Sequence, residues 1–302
     1  MHAENTARIQ EKTSTALHAG LCCGSSETTG KPRLAISFSG GRSSAVMLHR
    51  CLERFADSHD IVVTFANTGR EKNETLDFVD AVDRNICQPK GYRIIWLEAV
   101  IHHGERKGVS ARIVNYETAN RDGSVFEEAI KKHGVFNKGY PNCTGRLKDE
   151  PIHWYLRRIH GWERSTYDTA IGIRADEILS RASKNMKEKR FIYPLADEGW
   201  RKRDVNEFMR QFDWDLKIPG DHHGNCDGCW KKSLRKLMTR AKEDPEVFDW
   251  WGRMERKYGM VTNGKDQPEP RTFFRENRSA QDIVRLAFTT AFRPYKDDTF
   301  DQ

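Results

Sequence analysis

No run of apolar residues in this 302-residue chain approaches the ~20 needed to span a bilayer, so no membrane partner is expected. The first residues lack the apolar core of a secretory signal, which makes a cytoplasmic location the expectation. Also missing are the long glycine interval closed by Lys-Ser/Thr of the Walker loop and the three spaced glycines of the dinucleotide fingerprint. The seven cysteines are an odd number, which points to reduced thiols or metal ligands rather than disulfides. None of them follows Cys229. No internal repeat is present.

What is there reads as a folded enzyme. Hydrophobic residues make up 37% and charged residues 31%, polar for a globular chain, but aromatics at 10% argue against disorder. The length allows one large α/β domain or one domain with an appendage. Net charge is +7, with basic clusters at Arg181 to Arg190, Arg201 to Arg203 and Lys231 to Arg240. This favours a polyanionic partner such as tRNA, DNA or a nucleotide; a solvated basic surface is the alternative.

Leu34-Ala35-Ile36-Ser37-Phe38 reads as a short buried strand that runs at once into Ser39-Gly40-Gly41-Arg42-Ser43-Ser44 and then into apolar residues at helical spacing. Glycines let the backbone approach an anion, serines add hydroxyl donors, and the following helix offers free N–H groups at the positive end of its dipole. That is the build of a phosphate cradle, with an ordinary turn and helix cap as the alternative.

The pattern continues with a helix over Ser44 to Phe55, a strand over Ile61 to Ala66, a helix from Glu71 to about Ile86 and a strand over Tyr92 to Leu97. Such alternation implies a parallel sheet with ligands at the carboxyl ends of its strands. Ser39-Gly40-Gly41 and Asn67-Thr68-Gly69 both fall there and should converge. His102 to Gly139 reads as an insertion with one helix near Ser124 to His133. Further helices are expected over Leu147 to Ile159, Asp204 to Phe212, Leu234 to Lys242 and Ala280 to Phe288, and a strand over Asp168 to Ile173. The aromatic residues Phe248, Trp250, Trp251 and Tyr258 suit a core or a lid better than a base-stacking platform. Residues 1–30 are expected to be a flexible arm with at most a short helix over Thr6 to Leu17, and Cys22-Cys23 within it receive no role. Cys51 and Cys87 should be buried on helices.

Ser39-Gly40-Gly41-Arg42-Ser43-Ser44 resembles the pyrophosphate-binding loop of the N-type ATP pyrophosphatases, in the branch grouped with phosphoadenosine phosphosulfate (PAPS) reductases. The resemblance continues in order through Phe65-Ala66-Asn67-Thr68-Gly69, Glu74-Thr75, Cys143 with Lys148 and Pro151, Gly172-Ile173-Arg174, and Pro194-Leu195 with Trp200 and Asp204-Val205. It implies a nucleotide-binding domain over residues 31–232, an α/β Rossmann-like parallel sheet with helices on both faces, followed by a helical extension over 233–302. It also implies that Ser39, Gly40, Gly41, Arg42, Ser43 and Ser44 hold the phosphates of ATP with Mg2+, or of PAPS or APS, and that Asn67, Thr68 and Gly69 line the same crevice. Two departures stand out. Many ATP-cleaving members carry aspartate where this chain has Ser43, and sulfonucleotide members often carry it where this chain has Asn67.

Arg174 matches an arginine that faces the nucleotide in relatives; a surface ion pair with Asp176 or Glu177 is the alternative. Lys148 could neutralise charge developing on the phosphates, or be an ordinary exposed lysine. Cys226-Asp227-Gly228-Cys229 places two thiolates on one tight turn, able to reach the same ion or cluster. Cys143 sits where iron–sulfur relatives place the first of two adjacent cysteines, with Thr144 at the second position. The resemblance therefore implies a three-cysteine [4Fe-4S] cluster at Cys143, Cys226 and Cys229. Zinc with His222 or His223 as a fourth ligand is the competing occupant, and a redox CxxC a third option.

A sulfonucleotide reductase of the usual kind needs a mobile cysteine near its C-terminus, which this chain lacks. The preferred reading is an ATP pyrophosphatase-type enzyme that adenylates an acceptor, tRNA or DNA among the candidates, and passes it sulfur from a donor protein. The runner-up is PAPS or APS reduction with an external thiol. A non-catalytic nucleotide-binding module with structural zinc is the third.

Overall fold

The computed structural model describes residues 30–104, 108–182, 187–262 and 267–297. The expected arm, its short helix and Cys22-Cys23 lie outside the described residues.

Strand β1 (Arg33–Phe38) is buried along most of its length, as expected of a strand covered by helices on both faces. It leads into helix α1 (Arg42–Phe55), strand β2 (Asp60–Asn67), helix α2 (Asn73–Val82) and strand β3 (Ile94–Ile101). Strand β4 (Val109–Val114) pairs antiparallel with β3, opposing Arg112 to Glu98. This strand adds to the single helix expected of the insertion, α3 (Ser124–His133). Its burial pattern is only partial, and a half-exposed edge strand leaves little hydrophobic period for a sequence reading to detect. After α4 (Glu150–His160), the chain re-enters the sheet beside β1 as β5 (Asp168–Ile171), followed by β6 (Phe191–Ile192). The strand order is β4-β3-β2-β1-β5-β6, parallel except at β4.

That order reverses between β1 and β5, and the crevice at the carboxyl ends of those two strands is where sheets of this kind bind ligands. Leu34, Ile36 and Phe38 pack on Val46, Leu48 and Leu76 of α1 and α2 on one face. Ala35, Val62 and Leu97 meet Ile152, Tyr155 and Leu156 of α4 on the other. Cys51 and Cys87 are fully buried.

Helices α5 (Lys202–Arg210), α6 (Leu234–Glu243), α7 (Val247–Tyr258) and α8 (Ala280–Thr289) complete the main elements. A further core joins Phe126 and Phe136 to Phe248, Trp250, Trp251 and Phe273, and it includes Cys143 and Cys226. The aromatic helix α7 is therefore core: Trp251 is fully buried, with its ring edge-on to Phe273 at 4.7 Å.

Burial, reinforced by Arg146 and Lys132, pushes the pKa of His133 down to about 4. The unfolded chain takes up that proton near pH 6.5 and the folded chain does not, so stability falls as pH drops from 6.5 towards 4. His133→Gln should reduce the slope of stability against pH in that window, measured by urea denaturation at a series of pH values.

Candidate functional site

The turn after β1 is built around Gly40. Its φ is +76°, and a Cβ there would stand 2.7 Å from Thr75 Cγ2 and 3.3 Å from Val79 Cγ2, so a side chain is excluded by both conformation and space. The hydroxyl of Ser44, buried on the first turn of α1, accepts from Ser39 N–H at 3.2 Å, Ser39 O–H at 3.0 Å and Gly41 N–H at 3.3 Å, and donates to the Gly41 carbonyl at 2.8 Å. Three donors thus converge on one oxygen. This is the arrangement a phosphate oxygen requires, held ready by an internal hydroxyl.

Gly172, just after β5, lies against the same helix start: a Cβ there would stand 2.8 Å from Ser44 Cα and 3.0 Å from Ser44 N. That close approach carries Arg174 to the loop, where its Nη1 donates to Ser43 Oγ at 2.8 Å. Arg174 also pairs with Asp176 at 3.0 Å and Glu177 at 3.2 Å, so the loop contact and the ion pairs coexist. Arg42 turns elsewhere. Its guanidinium forms a bidentate pair with Asp215 at 2.8 and 2.7 Å and donates to the Leu216 carbonyl at 3.2 Å.

At the carboxyl end of β2, Asn67 is fully buried, and its amide donates to Glu98 Oε1 at 2.6 Å and to the Asn120 carbonyl at 2.9 Å. Glu98, equally buried, accepts from Arg112 at 2.6 and 2.8 Å. An aspartate at position 67 would face this carboxylate, which gives a physical reason for the amide. Thr68 donates from both its backbone N–H (2.9 Å) and its hydroxyl (2.8 Å) to Glu71 Oε2.

Glu71 links this turn to the thiols. Its Oε1 lies 3.9 Å from Cys226 Sγ and 3.7 Å from Lys148 Nζ, and Thr68 Oγ1 is 3.3 Å from Cys226 Sγ. Burial presses the Lys148 ammonium towards neutrality, but Glu71, Cys226, Cys229 and Cys143 together hold its pKa above the ordinary lysine value. Burial and then Glu71 push the Cys226 thiol up to about 12, and burial raises Cys229 as well. The segments Cys143 to Lys148 and Cys226 to Cys229, distant from each other in sequence, are thus electrostatic neighbours.

The C-terminal helices hold the CxxC turn. Arg240 of α6, buried, grips the Asp227 carboxylate at 2.9 and 2.8 Å and reaches Asp244 at 2.9 Å. Trp251 Nε1 donates to the Asp227 carbonyl at 3.0 Å, and a Cβ on Gly228, whose φ is +69°, would stand 2.6 Å from that same nitrogen. Asp227 N–H donates to the Arg70 carbonyl at 2.9 Å, joining the turn to the end of β2. Burial raises the Asp227 pKa, but Arg240 outweighs it and keeps the carboxyl below its usual range. A cavity of about 580 Å³ opens beside this turn, lined among others by Arg70, Glu71, Asp227, Arg240, Trp250 and Arg253.

Sequence reasoning missed Glu71, Asp227 and Arg240. Glu71 lies two residues beyond the Asn67-Thr68-Gly69 block, and Asp227 lies inside the CxxC, so position could have flagged both. Arg240 was concealed in a basic cluster that looked like surface charge. That cluster is partly internal: Arg240 is buried against Asp227, and Lys236, half-buried, donates to Asp221 at 2.8 Å. His222 and His223, one of which the zinc alternative would use as a fourth ligand, both stand against Glu243.

A largely parallel sheet with a serine–glycine loop at its topological switch point has the architecture of the adenine nucleotide alpha hydrolase-like proteins. The family model described as the phosphoadenosine phosphosulfate reductase domain matches residues 33–106. A nin region protein of Escherichia phage lambda, itself uncharacterised, is 32% identical over 227 residues, 69% of each chain. The chain belongs to the phosphoadenosine phosphosulfate reductase domain family. Two uncharacterised proteins of Methanocaldococcus jannaschii are each 25% identical over 245 and 236 residues, and the chain spans 43% and 47% of their lengths. Among solved structures, the U34-tRNA thiolase NcsA from Methanococcus maripaludis with its [4Fe-4S] cluster is similar at 18% identity and a TM-score of 0.39, over 85% of this chain and 71% of that one.

Asn67→Asp should destabilise the protein by about 3 kcal/mol at neutral pH, the cost of a buried charge without a partner. Because protonating one of the two carboxyls relieves the repulsion, the deficit should shrink as pH falls towards 5, as read by urea denaturation. Arg240→Ala should cost about 3 kcal/mol, because it leaves the Asp227 carboxylate with only the more distant Lys72, 3.8 Å away, as its cation. Asp227→Asn on that background should recover part of the loss.

Proposed function

We propose that the protein is an adenine-nucleotide-dependent enzyme that cleaves ATP between its α- and β-phosphates, adenylates an acceptor and delivers sulfur to it. The observation that carries this reading is that Cys226 lies against Thr68 and Glu71 just after β2, and β2 pairs in parallel with β1, whose carboxyl end runs into the Ser39–Ser44 loop.

In this reading Ser39, Gly40, Gly41 and Ser43 cradle the β- and γ-phosphates of ATP with its Mg2+. Ser44 shapes the loop from below, and Arg174 steadies Ser43 from above. The acceptor's carbonyl oxygen attacks the α-phosphorus, and pyrophosphate leaves. A sulfur nucleophile then attacks the activated carbon, and AMP departs with the former carbonyl oxygen. Lys148 supplies fixed positive charge where negative charge develops. Arg42 serves the fold through Asp215, and Asn67 holds the shape of the crevice through Glu98.

Cys143, Cys226 and Cys229 fit a [4Fe-4S] cluster by donor chemistry, being three sulfur donors, mostly buried, with a lysine among them. Such a cluster would leave one iron without a protein ligand, available to a sulfur species. The net charge of +7 suits a nucleic acid acceptor such as tRNA or DNA.

Anaerobically purified protein should contain about four irons and four acid-labile sulfides per chain and lose them in Cys143→Ala. It should release pyrophosphate from ATP in the presence of acceptor and a sulfide source. Sulfite release from PAPS or APS with an external thiol would assign it to sulfonucleotide reduction instead. Zinc without sulfide, and no turnover of either nucleotide, would leave a binding module. Ser43→Ala and Arg174→Ala should each weaken ATP binding about tenfold, the loss expected of one charge-assisted contact, whereas Arg42→Ala should lower stability with little change in nucleotide affinity.

A further inference from the structure

The loop that precedes the CxxC turn contains a constellation with no part in the proposed chemistry. His222 and His223 are each about 95% buried, and their rings meet at 4.3 Å with an interplanar angle of 63°. Both face the carboxylate of Glu243, the last residue of α6. His222 Nε2 lies 2.9 Å from Oε1 and 3.2 Å from Oε2, and His223 Nε2 lies 3.0 Å from Oε2. One donor atom from each of the three residues lies within 4.8 Å of the other two.

We propose that His222, His223 and Glu243 bind a first-row divalent metal ion, zinc being the ion considered first, at a site separate from the three cysteines. Hydrogen bonding alone accounts poorly for the arrangement. The contact between His223 Nε2 and Glu243, though short, does not meet hydrogen-bond geometry, and that nitrogen is left without a partner, as are Nδ1 of His222 and Nδ1 of His223. Leaving a buried polar atom unpaired costs about 1–3 kcal/mol. A cation shared by the two imidazoles and the carboxylate would use the lone pair of His223 Nε2, for which the protein provides no donor. Two imidazoles and one carboxylate are borderline donors that suit zinc, cobalt or iron rather than calcium or magnesium. Glu243 keeps about 40% of its side chain accessible, so an ion has a route from solvent.

The position gives the metal a purpose. It would tie the loop before Cys226 to the end of the same helix from which Arg240 grips Asp227. One helix would then hold the CxxC turn at both of its approaches. The role is positional and does not depend on what the cysteines carry.

The test uses the full chain, stripped of metal and titrated with cobalt(II) under anaerobic conditions. Cobalt on nitrogen and oxygen donors shows ligand-field bands alone, whereas cobalt on cysteine adds strong thiolate-to-metal charge transfer. One equivalent bound without charge transfer is the expected result, whether or not a further equivalent appears at the thiols. Glu243→Gln, close in shape to the parent, and His223→Ala should weaken that equivalent by no less than roughly the tenfold lost when only an outer partner of a metal ligand is removed. Zinc should raise the melting temperature of the parent more than that of Glu243→Gln. The proposal is overturned if the folded parent binds no cobalt, if all bound cobalt shows thiolate charge transfer, or if the variants bind as the parent does. Iron and sulfide contents, read separately, decide the fate of the cysteine cluster without bearing on this site.

Discussion

The buried pair between Arg240 and Asp227 is the contact on which the rest of the site depends. Asp227 sits between the two cysteines of a turn with few regular hydrogen bonds of its own, and a buried carboxylate there is tolerable only with a matched cation. Arg240 supplies it in bidentate form from α6, and Trp251 of α7 anchors the carbonyl of the same residue. An ion pair of this kind adds little net stability compared with well-packed apolar side chains, but removing one partner is costly. Its consequence is therefore location: the CxxC turn can sit in one place only, against Arg70 and Glu71 at the end of β2.

The two halves of the crevice are built by different means. The serine–glycine loop is local, made by one strand, one turn and one helix start, with Ser44 gathering donors five residues or fewer away. The thiol pocket is non-local. It needs the segment from Cys143 to Lys148, the turn after β2 and the C-terminal helices to arrive together. The sheet joins them, since β1 and β2 run in parallel register from Arg33 opposite Asp60 to Phe38 opposite Phe65. Both turns consequently open on the same edge.

Buried charge also recasts the basic composition. Within Lys231 to Arg240, Arg240 serves Asp227 and Lys236 serves Asp221, and Arg42 serves Asp215. These cations organise loops around acidic partners, and only what is left over contributes to the outward field that a polyanion would meet.

The order of strands and helices, the strand–turn–helix junction at Ser39–Ser44 and the burial of the aromatic helix were legible in the sequence because each rests on local signals: an apolar run, a glycine–serine turn, a helical period. The edge strand Val109–Val114 was not, since a half-exposed strand has a weak period. Nor were the roles of individual polar side chains. Whether Arg42 turns to a phosphate or to Asp215, whether Asn67 faces a ligand or Glu98, and whether His222 and His223 meet a thiol or Glu243 are decided by partners that lie between 20 and 173 residues away. By itself, then, the sequence determined the family, the sheet and the strand ends at which the serine–glycine and Asn67-Thr68-Gly69 turns stand. The tertiary structure alone decided which charges are used there, because a buried polar group must find a partner in space, and spacing along the chain does not say which one.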